Sequence, residues 1–216
     1  MIRHLRAAAA PAAAAAALLA CGDIGAPLRT ETYEWRLMDA GGAASFHWAP
    51  AELPVRFWAQ DIYDLESHTR AAIETWKAAF LYREFDGIMV EDSADADVIV
   101  RAGFPDGGGI LRAQITECEA LTELDLDLEA RTLTLPIHVF VSPRFDPDLP
   151  ETRACFGIAM IHEVGHSIGI FRHSPDPGDI MYFSPEVTGP SERDRQTAEV
   201  LYHSDVNVTT DRGGTP

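Results

Sequence analysis

The chain has 216 residues, a formal net charge of −17 and 46% hydrophobic residues, a size and content that suit one domain with a real core. The acidity excludes a nucleic-acid partner, because a phosphate-binding surface needs Lys and Arg in excess. Its plain reading is solubility, and a monomer is expected.

Residues 1–6 are a short basic region carrying Arg3 and Arg6, and residues 7–20 are small, apolar and too few to span a bilayer. Residues 1–20 therefore read as a signal peptide. It ends in LLAC (18–21), which resembles the lipobox of bacterial lipoproteins. The resemblance implies cleavage before Cys21 and lipidation of that cysteine; a plain secretory signal is the alternative. Gly22 rather than Asp follows, which by the same resemblance favours the outer membrane. The expected location is the periplasmic face of the cell envelope, through a lipid anchor in the membrane, or otherwise outside the cell. With Cys21 assigned to lipid, Cys118 and Cys155 remain. An even pair in an oxidising compartment points to a disulfide, with two unpaired buried thiols as the alternative.

Residues 22–44 lack a strong period and read as a tether. PVRFWA (54–59) has the aromatic and β-branched content of a strand. A helix follows over 62–80, where Leu65, Ala72, Ile73, Trp76 and Phe80 recur at steps of three and four; Asp61 or Asp64 can cap it. ADVIVRAG (96–103) is a second strand. FPDGGGI (104–110) lacks the Lys-Ser/Thr ending of a phosphate cradle and reads as a surface loop. ELDLDLE (123–129) alternates acid and leucine as a strand with one solvated face. Evenly alternating carboxylates do not wrap around an ion, so calcium is not supported. LTLPIHVFV (133–141) is the next strand, and Pro136 marks its start, a bulge or an edge.

The segment 146–169 is the central helix, with Asp148 as cap and Pro150 in its first turn; Glu163 is its only formal charge between Ala154 and Phe171. A helix apolar nearly all round is buried. SERDRQTAEVLY (191–202) is a last helix with a capping-box pattern at Ser191 and Asp194, and the residues from 204 to 216 read as a loose tail.

HEVGHSIGIFRHS (162–174) carries the chemistry. His162 and His166, four apart, project from one helix face and can reach a single zinc ion. Glu163 between them is a poor structural choice, since a buried unpaired carboxylate costs several kcal/mol, by rough estimate; beside a dication and its water it can serve as general base. A bare HExxH also occurs by chance. Here Gly169 follows where a helix can end on a left-handed residue, His173 comes next, and Met181 lies eight residues beyond it in DIMY.

This constellation resembles the metzincin zinc proteases, and among them the matrixins in a bacterial minimal form. The resemblance covers 45–203, with its specific part at 162–182. It implies an α+β, zincin-like fold. That fold has a twisted mixed sheet, a long helix in the N-terminal half, an active-site helix, and a small C-terminal subdomain with a Met-turn and a final helix. It makes His162 and His166 zinc ligands, Glu163 the general base, Gly169 the turn residue and Met181 the floor under the metal. The family's third histidine falls where this chain has Arg172, which cannot coordinate a cation. His173 is then the third ligand, reaching in across a turn lengthened by one residue, with Asp176 or Asp179 as competitor. Tyr182, Phe183, Ser184 and Pro185 are expected to wall the substrate pocket, and Tyr182 is not assigned as a ligand. His47, His68, His138 and His203 are left as structural or surface residues.

The resemblance implies an exported endopeptidase with one catalytic zinc, acting on a protein or peptide substrate. An extended peptide would add along a sheet edge. The alternatives are a non-catalytic envelope lipoprotein that binds a partner and uses zinc as a clasp, and a metalloenzyme acting on a non-protein envelope polymer.

Overall fold

Alternating burial of Val55, Phe57 and Ala59 in VRFWA makes β3, the strand from which the sheet is built outward. The computed structural model describes residues 31–103, 111–114 and 117–212. Its strands are β1 (Leu37–Asp39), β2 (Gly42–Ala44), β3 (Val55–Ala59), β4 (Gly87–Met89), β5 (Val98–Ala102), β6 (Leu111–Gln114), β7 (Cys118–Asp127), β8 (Thr132–Pro143) and β9 (Thr209–Asp211). Its α-helices are α1 (Leu65–Ala79), α2 (Pro150–Ser167) and α3 (Glu192–Tyr202). β1 and β2 form a small antiparallel pair; the main sheet runs β4-β3-β5-β8-β7-β6, with β9 beside the start of β8. β4, β3, β5 and β8 are mutually parallel, while β7 and then β6 reverse direction. The fold is α+β with a mixed sheet. Among the described residues no helix is long and apolar enough to cross a membrane.

Helix α1 buries Leu65, Thr69, Ala72, Ile73 and Trp76, the spacing of one helical face. α2 lies against α1 on one side and against β7 and β8 on the other. Twelve of its residues, from Thr152 to Ser167, are buried, as its lack of charge implies. In β7 and the turn after it the leucines at 124, 126 and 128 pack on the core while Glu123, Asp125, Asp127 and Glu129 face solvent. Pro136 sits at a register irregularity: Glu123 pairs with His138 but Asp125 pairs with Thr134. On the other edge of β8 the neighbour changes there from β9, ending at Thr134, to β5, starting at Ile137. A residue without an N–H is tolerated at that gap. Cys118 at the head of β7 is disulfide-bonded to Cys155 in α2.

The structure differs from the sequence reading at both ends and at two caps. The expected tether does not extend to residue 44, because residues from 32 onward are part of the fold. Tyr33 and Trp35 are buried, Thr32 bonds to Thr197 and to the Arg193 carbonyl, and Phe171 N–H donates to the Trp35 carbonyl. The expected loose tail is docked as far as Arg212. Val208 is buried, β9 pairs with β8, and the Arg212 and Arg56 guanidiniums both bind the buried Asp97 carboxylate. These segments are irregular and their partners lie far away in sequence, so they leave no periodic signal. Asp64 occupies the N-cap of α1 in a left-handed conformation and makes no side-chain cap, and α2 is entered from Leu149 rather than capped by Asp148. Ser191 and Asp194 do form the capping box of α3. Residues 1–30, with the signal peptide and Cys21, and the loop 104–110 lie outside the described residues.

Candidate metal centre

Helix α2 ends in a Schellman turn. Ile170 N–H donates to the Gly165 carbonyl and Gly169 N–H to the His166 carbonyl, which satisfies carbonyls a helix end leaves open. Gly169 has φ +113°, and a β-carbon there would lie 2.0 Å from the Phe46 carbonyl oxygen. Two tryptophans meet further carbonyls of the same helix: Trp76 Nε1 donates to Ile161 O at 2.7 Å and Trp48 Nε1 to Ser167 O at 3.0 Å.

Three imidazoles converge at this end of the helix. His166 Nε2 lies 3.0 Å from His162 Nε2 and 3.3 Å from His173 Nε2, and the three can offer nitrogens to one metal ion. Their other ring nitrogens decide the tautomers. His162 Nδ1 is 2.6 Å from the Ile180 carbonyl and His166 Nδ1 is 2.6 Å from the Ile170 carbonyl. A carbonyl only accepts, so both Nδ1 atoms carry the proton and both Nε2 lone pairs face the centre. Burial lowers all three rings from the ordinary histidine value, His162 to about 3 and His166 well below it, with neighbouring imidazoles adding to the shift for His162 and His166. They are neutral donors at neutral pH.

His173, and neither Asp176 nor Asp179, completes with His162 and His166 a cluster that could hold a metal ion. Ile170 and Phe171 are buried, the Arg172 side chain faces solvent, and His173 turns in. Asp179 is instead bound by Ser174 Oγ, Ser191 Oγ and Arg193 Nε, and Asp176 by Gly178 N–H and the Arg193 guanidinium. These bonds, with Ser174 N–H to the Met181 carbonyl, close the loop from His173 to Tyr182. Met181 is fully buried beneath the helix, near Gly165. Asp194 anchors this floor from behind: it accepts from Ile180 N–H at 2.8 Å, Met181 N–H at 3.4 Å, Ser191 N–H and the Tyr33 hydroxyl at 2.7 Å.

Glu163 is fully buried one residue from the first histidine. Its Oε2 accepts from Thr122 Oγ1 at 2.6 Å, while Oε1 has no hydrogen-bond partner among the described residues. Burial pushes the carboxyl up to about 8, against the lowering effect of the Thr122 bond. Beyond Met181, Tyr182 and Phe183 contact each other with ring centroids 4.6 Å apart, Phe183 and Ser184 reach the surface to differing degrees, and Pro185 is buried. Among the described residues the other four histidines lie elsewhere: His47 against Tyr202, His68 against Phe156, His138 against Phe140 and His203 against Glu84.

Sequence reasoning missed Thr122, Gly165 and the anchoring role of Asp194. Thr122 had a signal, since it shares the inward phase of Leu124 and Leu126 along β7 and is a polar residue in an apolar row. The edge of β7 beside Thr122 is already paired with β6, Leu111 opposite Thr122. An added strand would therefore meet β6 there. No family's sequence profile matches the chain, and no curated protein matches it in sequence.

Proposed function

We propose that the protein is a zinc-dependent endopeptidase of the metzincin type, matrixin-like in its motif, exported and held to the envelope through Cys21. The observation that carries this reading is the convergence of three neutral imidazole nitrogens beside Glu163, a buried carboxyl with one oxygen unpartnered. The donor set fits zinc. A tetrahedral ion with bonds of about 2.05 Å separates its ligands by about 3.3 Å, and His166 Nε2 stands 3.0 and 3.3 Å from the other two Nε2 atoms. Three donors leave an open position, whereas a structural clasp takes four protein ligands. Zinc bound there would polarise a peptide carbonyl and lower the pKa of a coordinated water to about 7.

The chain's own residues supply the rest. The Ile180 and Ile170 carbonyls hold the His162 and His166 rings with Nε2 inward. Beside a dication the Glu163 carboxylate would be held ionised, and its free oxygen would then take the proton of the attacking water and pass it to the departing amine. The Asp194 bonds to the Ile180 and Met181 amides keep the floor of the centre in place.

Zinc stoichiometry and cleavage of a proteome-derived peptide library test the reading. Wild type and Glu163→Gln should both retain one zinc, and only wild type should cleave. Full cleavage by Glu163→Gln would exclude the assigned base.

A further inference from the structure

Thr122 lies on β7 with its side chain buried, between Leu111 of β6 and Val139 of β8. Its hydroxyl is the one hydrogen-bond partner that the Glu163 carboxyl has among the described residues, through Oε2. Thr122 Oγ1 also lies 3.2 Å from the Glu163 backbone carbonyl oxygen. The hydroxyl thus touches both the head group and the main chain of one residue, which restricts the carboxyl plane relative to α2. A hydroxyl has a single proton to donate. Directed at Oε2, that proton occupies the oxygen and leaves Oε1 as the acceptor still open.

We propose that Thr122 is a positioning residue that assigns the two oxygens of Glu163 their roles, holding Oε2 and reserving Oε1 for proton exchange. The inference rests on the general-base reading of Glu163. Proton balance is simple: Oε1 gains the proton that the water loses and later releases it to the amine nitrogen. Oε2 accepts from Thr122 throughout, since it is a carboxylate oxygen before the transfer and a carbonyl oxygen after it. Because β7 is bonded on both edges and tied to α2 by the Cys118–Cys155 disulfide, the donor arrives from a fixed frame.

The test uses zinc-loaded full-length wild type, Thr122→Val, Thr122→Ser and Glu163→Gln. The infrared carboxyl band absent in Glu163→Gln identifies Glu163. That band should shift in Thr122→Val and stay in place in Thr122→Ser, with zinc stoichiometry unchanged in both. On the peptide library, Thr122→Val should lose roughly 10–100-fold in kcat, the range for groups that orient a metal-site residue, with KM little changed. Thr122→Ser should keep most of the activity. A Thr122→Val protein with wild-type kcat and an unshifted band overturns the proposal, and so does a Thr122→Ser protein as impaired as Thr122→Val. If wild type cleaves nothing, the protease reading falls, and the band alone decides whether Thr122 holds the carboxyl.

Discussion

The sulfur of Met181 fills the space where Gly165 would carry a side chain: a β-carbon at residue 165 would stand 2.3 Å from Met181 Sδ and 2.9 Å from Trp76. Gly165 is the fourth residue of the HEVGH run, the position between the two helix histidines that faces the floor. Gly165→Ala should cost about 1–3 kcal/mol through overpacking and displace the floor. Thermal melts and zinc titration of the variant would show both effects. A Tm equal to wild type would mean the methionine can move aside freely.

His173 and the two aspartates make contrasting predictions. His173→Ala removes a donor, so zinc affinity should fall by two orders of magnitude or more, an order-of-magnitude expectation for losing one of three ligands. Asp176→Ala should leave affinity nearly unchanged, because that carboxylate faces Arg193 and Gly178 N–H. Competition with a chromogenic chelator measures both.

The metal-free protein should be most stable near pH 6.5. Buried His162, His166 and His173 have folded-state pKa values below the ordinary 6.5. The unfolded chain therefore binds more protons as pH falls below 6.5, and stability is lost on that side, toward about 3 for His162. His68 and His138, also lowered by burial, act in the same direction. Glu163 has the opposite sign: its folded value of about 8 exceeds the ordinary 4.5, so its contribution is lost as pH rises through that interval. Between 4.5 and 6.5 the histidines outnumber it; above 6.5 it acts alone among these groups. Melts in chelator across pH 4.5 to 8.5 should show a maximum, and a Tm still rising at pH 8 would remove Glu163 from this account.

A chain started at residue 45, the boundary suggested by the sequence, should fold poorly. It would lack buried Tyr33 and Trp35, the Tyr33 bond to Asp194 and the Trp35 carbonyl that receives Phe171 N–H. Loss of a buried aromatic alone costs about 3–5 kcal/mol. Urea denaturation of this truncated chain against the full chain gives the difference.

The helical half of the centre was legible because its rules are local. Spacing of four places His162 and His166 together, Gly169 ends the helix, and the absence of charge marks burial. His173 was legible as a candidate only, since choosing between it and the aspartates depends on where Ser174, Ser191 and Arg193 go, and those bonds span a loop and a helix terminus. Thr122 and Tyr33 sit 41 and 161 residues from the partners they hold. No short-range pattern connects such pairs, so the sheet strand behind Glu163 and the N-terminal strap behind the floor emerge only in three dimensions. The α+β class with its mixed sheet came from the resemblance carried by residues 162–182; strand and helix periods placed the separate elements but not the reversal at β7.

The indoles of Trp76 and Trp48 are hydrogen-bonded to the main chain of the histidine-bearing helix, one to Ile161 O and the other to Ser167 O. Indole emission and near-ultraviolet dichroism respond to such a bond and to the rigidity of its surroundings. The molecule thus carries a built-in optical gauge at either end of the HEVGH run. Metal loading, unfolding of that helix or displacement of its floor can be followed in the native chain without attaching a label.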